Sequence, residues 1–209
     1  MKVSSPTLAI IIGLSAWQAG AAGIDCAKPS SSADHMICQA PSLLTRDAII
    51  QDLYSAALKR DAVNDIRDRQ RRWVKSLQSC GDPACLQQHY DSQIGYLLTT
   101  KGGRSVSADF LTDGNDGNEG DLTIFGPVDG LAAISLASTY VGSGGSDAGD
   151  VNASSISGVV AMTKDHGRLI EDSCTIDFDR LNPKTWQVTQ TGTCTFADSV
   201  TMQGTYRRH

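Results

Sequence analysis

A chain of 209 residues, 40% hydrophobic and 20% charged, is long enough for one large domain or two small ones. Its net charge of −5, with no basic run, argues against nucleic acid or an anionic membrane surface as a partner. It favours steering toward a basic one.

The chain opens with Lys2, the apolar stretch Leu8–Trp17 and the small residues Ala19 to Gly23, the three-part layout of an export signal with peptidase sites near Ala21 to Gly23. The apolar stretch, about ten residues, is too short to span a bilayer. Cys26 follows Ile24 and Asp25, not a small residue close behind the apolar core, which argues against a lipid anchor. Residues 1–23 are therefore expected to be a cleaved signal, and the mature chain to be periplasmic or secreted with no membrane anchor.

The six cysteines form an even set in an oxidising compartment, so disulfides are expected. Their spacings, C-x11-C, C-x4-C and C-x19-C, contain neither the paired C-x2-C of a zinc ribbon nor a redox dithiol, and no metal or cofactor is expected. Local bonds Cys26–Cys38 and Cys80–Cys85 are favoured, with crossed pairs among these four left open.

Residues 24–100 carry a helical period. Ser31 or Ser32 caps a short helix ending near Cys38. A second helix, about Ser42 to Arg60, places Ile50, Leu53, Tyr54, Ala57 and Leu58 on one face. A third, about Ala62 to Ser79, has Ile66, Trp73, Val74 and Leu77 as its stripe, and the charged run Asp65 to Arg72 reads as its wet face. A fourth starts near Pro83 and repeats Leu86, Tyr90, Ile94 and Leu97. Tyr54, Trp73 and Tyr90 are expected in the core.

From Lys101-Gly102-Gly103 the composition shifts to Gly, Ser and Thr, and residues 101–120 read as a linker. Within it, Asp113, Asp116, Glu119 and Asp121 crowd four carboxylates into one glycine-rich stretch, Asp113–Asp121. A solvated acidic loop is the simpler reading, since the EF-hand spacing fails, and calcium stays an open alternative. Residues 121–209 contain strand-like runs at 120–125, 131–141, 154–163, 169–178, 186–196 and 200–207, separated by turn clusters, as in an antiparallel barrel or sandwich. If the strands flanking the Asn182–Lys184 turn form a hairpin, Cys174 faces Cys194 and the two bond. The fold class expected is α+β, a stapled helical domain followed by a β domain.

The helical half resembles a known family. The order CAKPSSSADHMIC, then Asp47, Ile50, Tyr54 and Leu58 as D-x2-I-x3-Y-x3-L, then IRDRQRRWVKSLQSC and CLQQHYDSQIGYL is similar to the N-terminal domain of LprI-like lysozyme inhibitors. Asp34 stands where that family has Glu, and Leu77 and Gln93 where it has Arg. The segments GDLTIFGPVDGLAAISLAS, DSCTIDFD and TGTCTFADSVTMQGTYRR resemble, more loosely, a β domain often appended to the helical module. The resemblance implies a periplasmic protein that inhibits a lysozyme or related muramidase by occlusion.

Motifs for catalysis are absent: there is no G-x-S-x-G elbow, H-E-x-x-H helix or Walker loop, and no nucleophile, base and orienter can be assembled. The protein is not expected to be an enzyme. An occluding loop must present hydrogen-bond donors to catalytic carboxylates. Lys164, His166 and Arg168 on one hairpin tip are candidates, as are Ser143 and Ser146 on another. Alternatives are an immunity or envelope-interaction protein that binds another cell-wall-targeting effector, and a small-ligand carrier in the barrel, which would need a pocket.

Overall fold

The computed structural model describes residues 23–112 and 117–208, so the expected signal lies outside it except for Gly23. The chain builds α1 (Ser32–Gln39), α2 (Pro41–Arg60), α3 (Val63–Leu77), α4 (Pro83–Thr99) and α5 (Lys101–Ser105). Eight strands follow among the described residues: β1 (Ala108–Thr112), β2 (Asn118–Val128), β3 (Leu131–Val141), β4 (Val151–Thr163), β5 (His166–Glu171), β6 (Cys174–Asn182), β7 (Thr185–Gly192) and β8 (Gly204–Arg207). No helix among the described residues is long and apolar enough to cross a membrane.

Local chemistry sets the helix ends. Ser31 Oγ accepts from Asp34 N at 3.1 Å while Asp34 Oδ2 accepts from Ser31 N at 3.1 Å, a capping box in which Asp does the work of the commoner Glu. The same carboxylate takes Ser30 N and Oγ at 2.8 and 2.7 Å, and these bonds hold it below its ordinary pKa. Asp82 caps α4 ahead of Pro83, accepting from Cys85 N at 2.8 Å. The apolar stripes of α2 and α4 meet face to face, with Ile49, Ile50, Leu53, Leu86, Ile94 and Leu97 fully buried. Each such side chain contributes about 2 kcal/mol of transfer free energy. Trp73 packs edge-on against Tyr90, centroids 5.1 Å apart. The local disulfides Cys26–Cys38 and Cys80–Cys85 form as expected.

All eight strands pair with their sequence neighbours, and β1 pairs with β8, closing the meander into a barrel. Alternate residues point inward: Ile134 and Leu136 on β3, Ile156 and Val160 on β4, Ile176 and Phe178 on β6, Trp186 and Val188 on β7. The helices cover the outer face of β2, β3 and β4, where Ala133 and Val159 join the helical core and Gly95 of α4 lies against Ser157.

The structure corrects several expectations. Residues 101–112 are not a linker. They form α5 and β1, with Arg104 gripping Asp121 through Nη2 at 2.6 and 2.7 Å. The run 169–178 contains a turn at Asp172–Ser173, where Asp172 takes a left-handed φ of 53°, so it belongs to two strands. The strands expected over 186–196 and 200–207 shrink to β7 and β8. Cys174 and Cys194 do bond, but the cross-strand partner of Cys174 is Gly192. Gly192 has φ 83°, and a Cβ there would meet Ser173 O. This bend lets the chain past β7 carry Cys194 back to its partner.

Asp47 is 7% exposed and accepts from Ile24 N and the Tyr90 hydroxyl, both at 3.0 Å. Burial, the largest influence, lifts its carboxyl above the ordinary value despite those bonds. The native state therefore holds that proton more tightly than the unfolded chain does. Stability should fall as pH rises from the unfolded carboxylate's pKa of about 3.9 through the raised native value. Asp91, lifted by burial against the opposing pull of Arg46, adds to the same slope. Asp47→Asn keeps an oxygen to accept from Ile24 N and an amide NH2 that can donate to the Tyr90 oxygen, and should flatten the decline. Asp47→Ala orphans them at a cost of about 2 kcal/mol. Urea midpoints between pH 4 and 8 check both.

Candidate functional site

An up-and-down meander sends successive turns to opposite ends of the barrel. The turns β2–β3, β4–β5 and β6–β7 share one end with the start of β1 and the close of β8. The β3–β4 and β5–β6 turns and the Cys174–Cys194 bridge lie at the other. This separates the candidate residues: Lys164 belongs to the first end, Ser143 and Ser146 to the second.

Ser143 and Ser146 are exposed on a turn drawn in by Asp150, which accepts from Gly144 N at 2.9 Å through Oδ2. Neither hydroxyl hydrogen-bonds to a base among the described residues. His166 and Arg168 point outward from β5 and are already matched. His166 Nδ1 lies 2.8 Å from Asp179 Oδ1, and Arg168 Nε donates to Asp177 Oδ1 at 2.6 Å. These are cross-strand partners in the β5–β6 register, and each ring or guanidinium is held to a carboxylate of the neighbouring strand.

Lys164 differs. It sits in the two-residue β4–β5 turn with φ 60°, a left-handed conformation that Gly or Asn would hold with less strain. With Arg180 and Arg208 it borders a cavity of about 170 Å³ in the barrel mouth. The floor is apolar, made by Phe110, Ile124, Met162 and Trp186, with the Phe110 and Trp186 rings edge to face at 6.4 Å. None of the three cations has a side-chain hydrogen bond or ion pair among the described residues, and no carboxylate lines the cavity. Lys184 lies on the adjoining turn. Asp129 and Asp165 are on turns of this end but stay outside the lining.

The rim is laced together by main-chain bonds. Gly130 O accepts from Met162 N at 2.7 Å, Asp165 O from Arg180 N at 2.7 Å, and Lys184 O from Arg208 N at 2.9 Å. Each turn is thereby tied to the next strand pair, so the cations ride on fixed backbone.

Arg180 and Arg208 were not among the sequence candidates, yet their signal is in the pattern. The inward series Ile156, Gly158, Val160, Met162 continues to Lys164, the series Cys174, Ile176, Phe178 to Arg180, and the series Gly204, Tyr206 to Arg208. Three inward rows thus end in a cation at the position where the barrel opens.

Elsewhere the chemistry is structural. Cys80, Cys85 and His89 are spaced closely enough for a metal, but both sulfurs are committed to their disulfide and offer no thiolate. Gln93, where the LprI-like pattern has Arg, donates to Gln70 Oε1 at 2.9 Å in the core. Of the acidic run, Asp113 and Asp116 lie outside the described residues, Glu119 is on β2, and Asp121 is taken by Arg104. Comparisons of the chain with protein families, curated proteins and solved structures found no match.

Proposed function

We propose that this chain is an exported, non-catalytic inhibitor of a lysozyme-type peptidoglycan hydrolase, and that the basic end of the barrel is the surface it presents. The observation that carries this reading is the rim of cations, Lys164, Arg180 and Arg208, which have no side-chain partner among the described residues and are set on backbone-laced turns in a chain of net charge −5. A glycosidase cleft holds two carboxylates about 5 to 9.5 Å apart, and a plug for it must bring donors to both. Cations fixed on neighbouring turns suit that task, because little side-chain and loop freedom is lost on docking. In bulk water each such pair is worth under about 1 kcal/mol. Inside a cleft emptied of water, measured couplings run from about 1.5 kcal/mol upward. The acidic remainder of the molecule favours approach to a basic enzyme over long range. The helices and their two disulfides back the barrel on β2 to β4, and their core reaches Val128 and Leu131 beside the β2–β3 turn of this end.

Purified mature protein, titrated against lysozymes of several classes in a peptidoglycan turbidity assay, is expected to inhibit at least one class at micromolar concentration or below. No loss of activity in any class at tenfold molar excess would reject the reading. Capture of a different cell-wall effector from periplasm would replace it with the immunity reading.

A further inference from the structure

We infer that the barrel mouth is also a binding site for a small organic anion, an apolar ring or short chain carrying one carboxylate or phosphate. The inference does not depend on the inhibitor reading, because it concerns the cavity beneath the rim and a free ligand within it.

The lining is chemically one-sided. Among the described residues its charged side chains are Lys164, Arg180 and Arg208, and it contains no carboxylate, amide or hydroxyl side chain to accept a hydrogen bond. A sugar or an amine, which needs acceptors, would find no side-chain acceptor there. An anion needs only donors, and the rim supplies Arg forks and a Lys ammonium. Below the rim, Phe110 and Trp186, 3% and 7% exposed, form an apolar floor with Ile124 and Met162. A bare inorganic ion would leave that floor in contact with water, so the ligand should carry an apolar body. Size narrows the class further. The cavity measures about 170 Å³, and a dry cavity of about 150 Å³ accepts benzene. One ring or a chain of about six carbons fits, whereas a long-chain fatty acid or a steroid does not. The left-handed backbone at Lys164 and the bond from Arg180 N to Asp165 O hold two of the cations in place before any ligand arrives.

The test uses the mature protein alone, with no lysozyme present. Benzoate and phenyl phosphate are titrated while Trp186 fluorescence and backbone NMR shifts are followed, beside the neutral isostere benzamide and inorganic phosphate. At least one of the organic anions is expected to saturate with a Kd of about 10 μM to 1 mM. Binding should be at least tenfold tighter than for benzamide or inorganic phosphate, with shifts confined to 108–110, 124–132, 162–165 and 180–186. The triple variant K164A/R180A/R208A should keep its thermal midpoint and lose at least tenfold in affinity. W186F should lose the fluorescence change but keep the NMR response. The inference is overturned if neither anion saturates by 10 mM, if benzamide or inorganic phosphate binds equally well, or if a folded triple variant binds as the parent does. Because inhibition is not measured, a failed inhibitor assay leaves this result standing, and the reverse also holds.

Discussion

Replacing Lys164, Arg180 and Arg208 together by glutamate is expected to weaken inhibition at least about 100-fold while leaving the thermal midpoint within about 2 °C. The large effect comes from sign. Two cation–carboxylate pairs desolvated in a cleft are worth about 3 kcal/mol together, and reversal also places like charges against each other. The small thermal effect follows from exposure, because none of the three side chains bonds to the rest of the described protein. Lys164→Gly gives a separate check. Glycine relieves the left-handed strain at φ 60°, so the variant should be more stable by up to about 1 kcal/mol and yet inhibit less well. A gain in stability joined to a loss of function points to a residue kept for binding. Inhibition constants and melting curves of the three proteins, parent included, decide it; parent-like inhibition by the reversed variant would remove the rim from the mechanism.

The second large effect concerns Gly102→Ala. A Cβ at residue 102 would run into the carbonyl of Ala56 and the Cα of Ala57, both main-chain atoms of α2 that no rotamer change can move aside. The helices must separate or α5 must shift. Overpacking of this kind costs about 3 kcal/mol at its upper range, or about 10 °C in melting temperature for a chain of this size. Arg104, two residues on, anchors to Asp121 of β2, so displacement of α5 should be felt where the barrel closes. Gly81→Ala, where a Cβ meets nothing within 4 Å, is the control and should change stability little. Chemical denaturation of both variants measures the difference.

Gly102 also shows where sequence reading reached its limit. Lys-Gly-Gly looks like chain freedom, and only the tertiary arrangement reveals that glycine stands there because two helices touch. Helices α2 and α4 were legible because Ile50, Leu53, Leu86, Tyr90, Ile94 and Leu97 repeat at helical intervals, and Ser31 and Pro83 marked the starts of α1 and α4. The strands over 131–141 and 154–163 were legible as strand-like runs bounded by turn clusters. β1 escaped because ADFLT offers only Phe110 as a buried anchor, and its two partners lie elsewhere in the sequence. The Cys174–Cys194 bond was readable from hairpin symmetry, while its register was displaced by the bulge near Arg180 and the bend at Gly192. At the site, Lys164 was readable as a turn cation. His166 and Arg168 looked equally available because Asp177 and Asp179, 9 and 13 positions away from Arg168 and His166, become partners only when β5 and β6 align. Barrel parity likewise sends the turn with Ser143 and Ser146 to the far end, and it gathers Lys164, Arg180 and Arg208 only once the inward rows are known.

Hydrogen–deuterium exchange on the mature chain with and without the lysozyme it inhibits tests the proposed surface most directly. New protection is expected at the turns 126–130, 163–167 and 181–186, with α1 to α4 unchanged. Protection on the helices or on the 142–150 turn, with the basic end left exchanging as in the free protein, would contradict it.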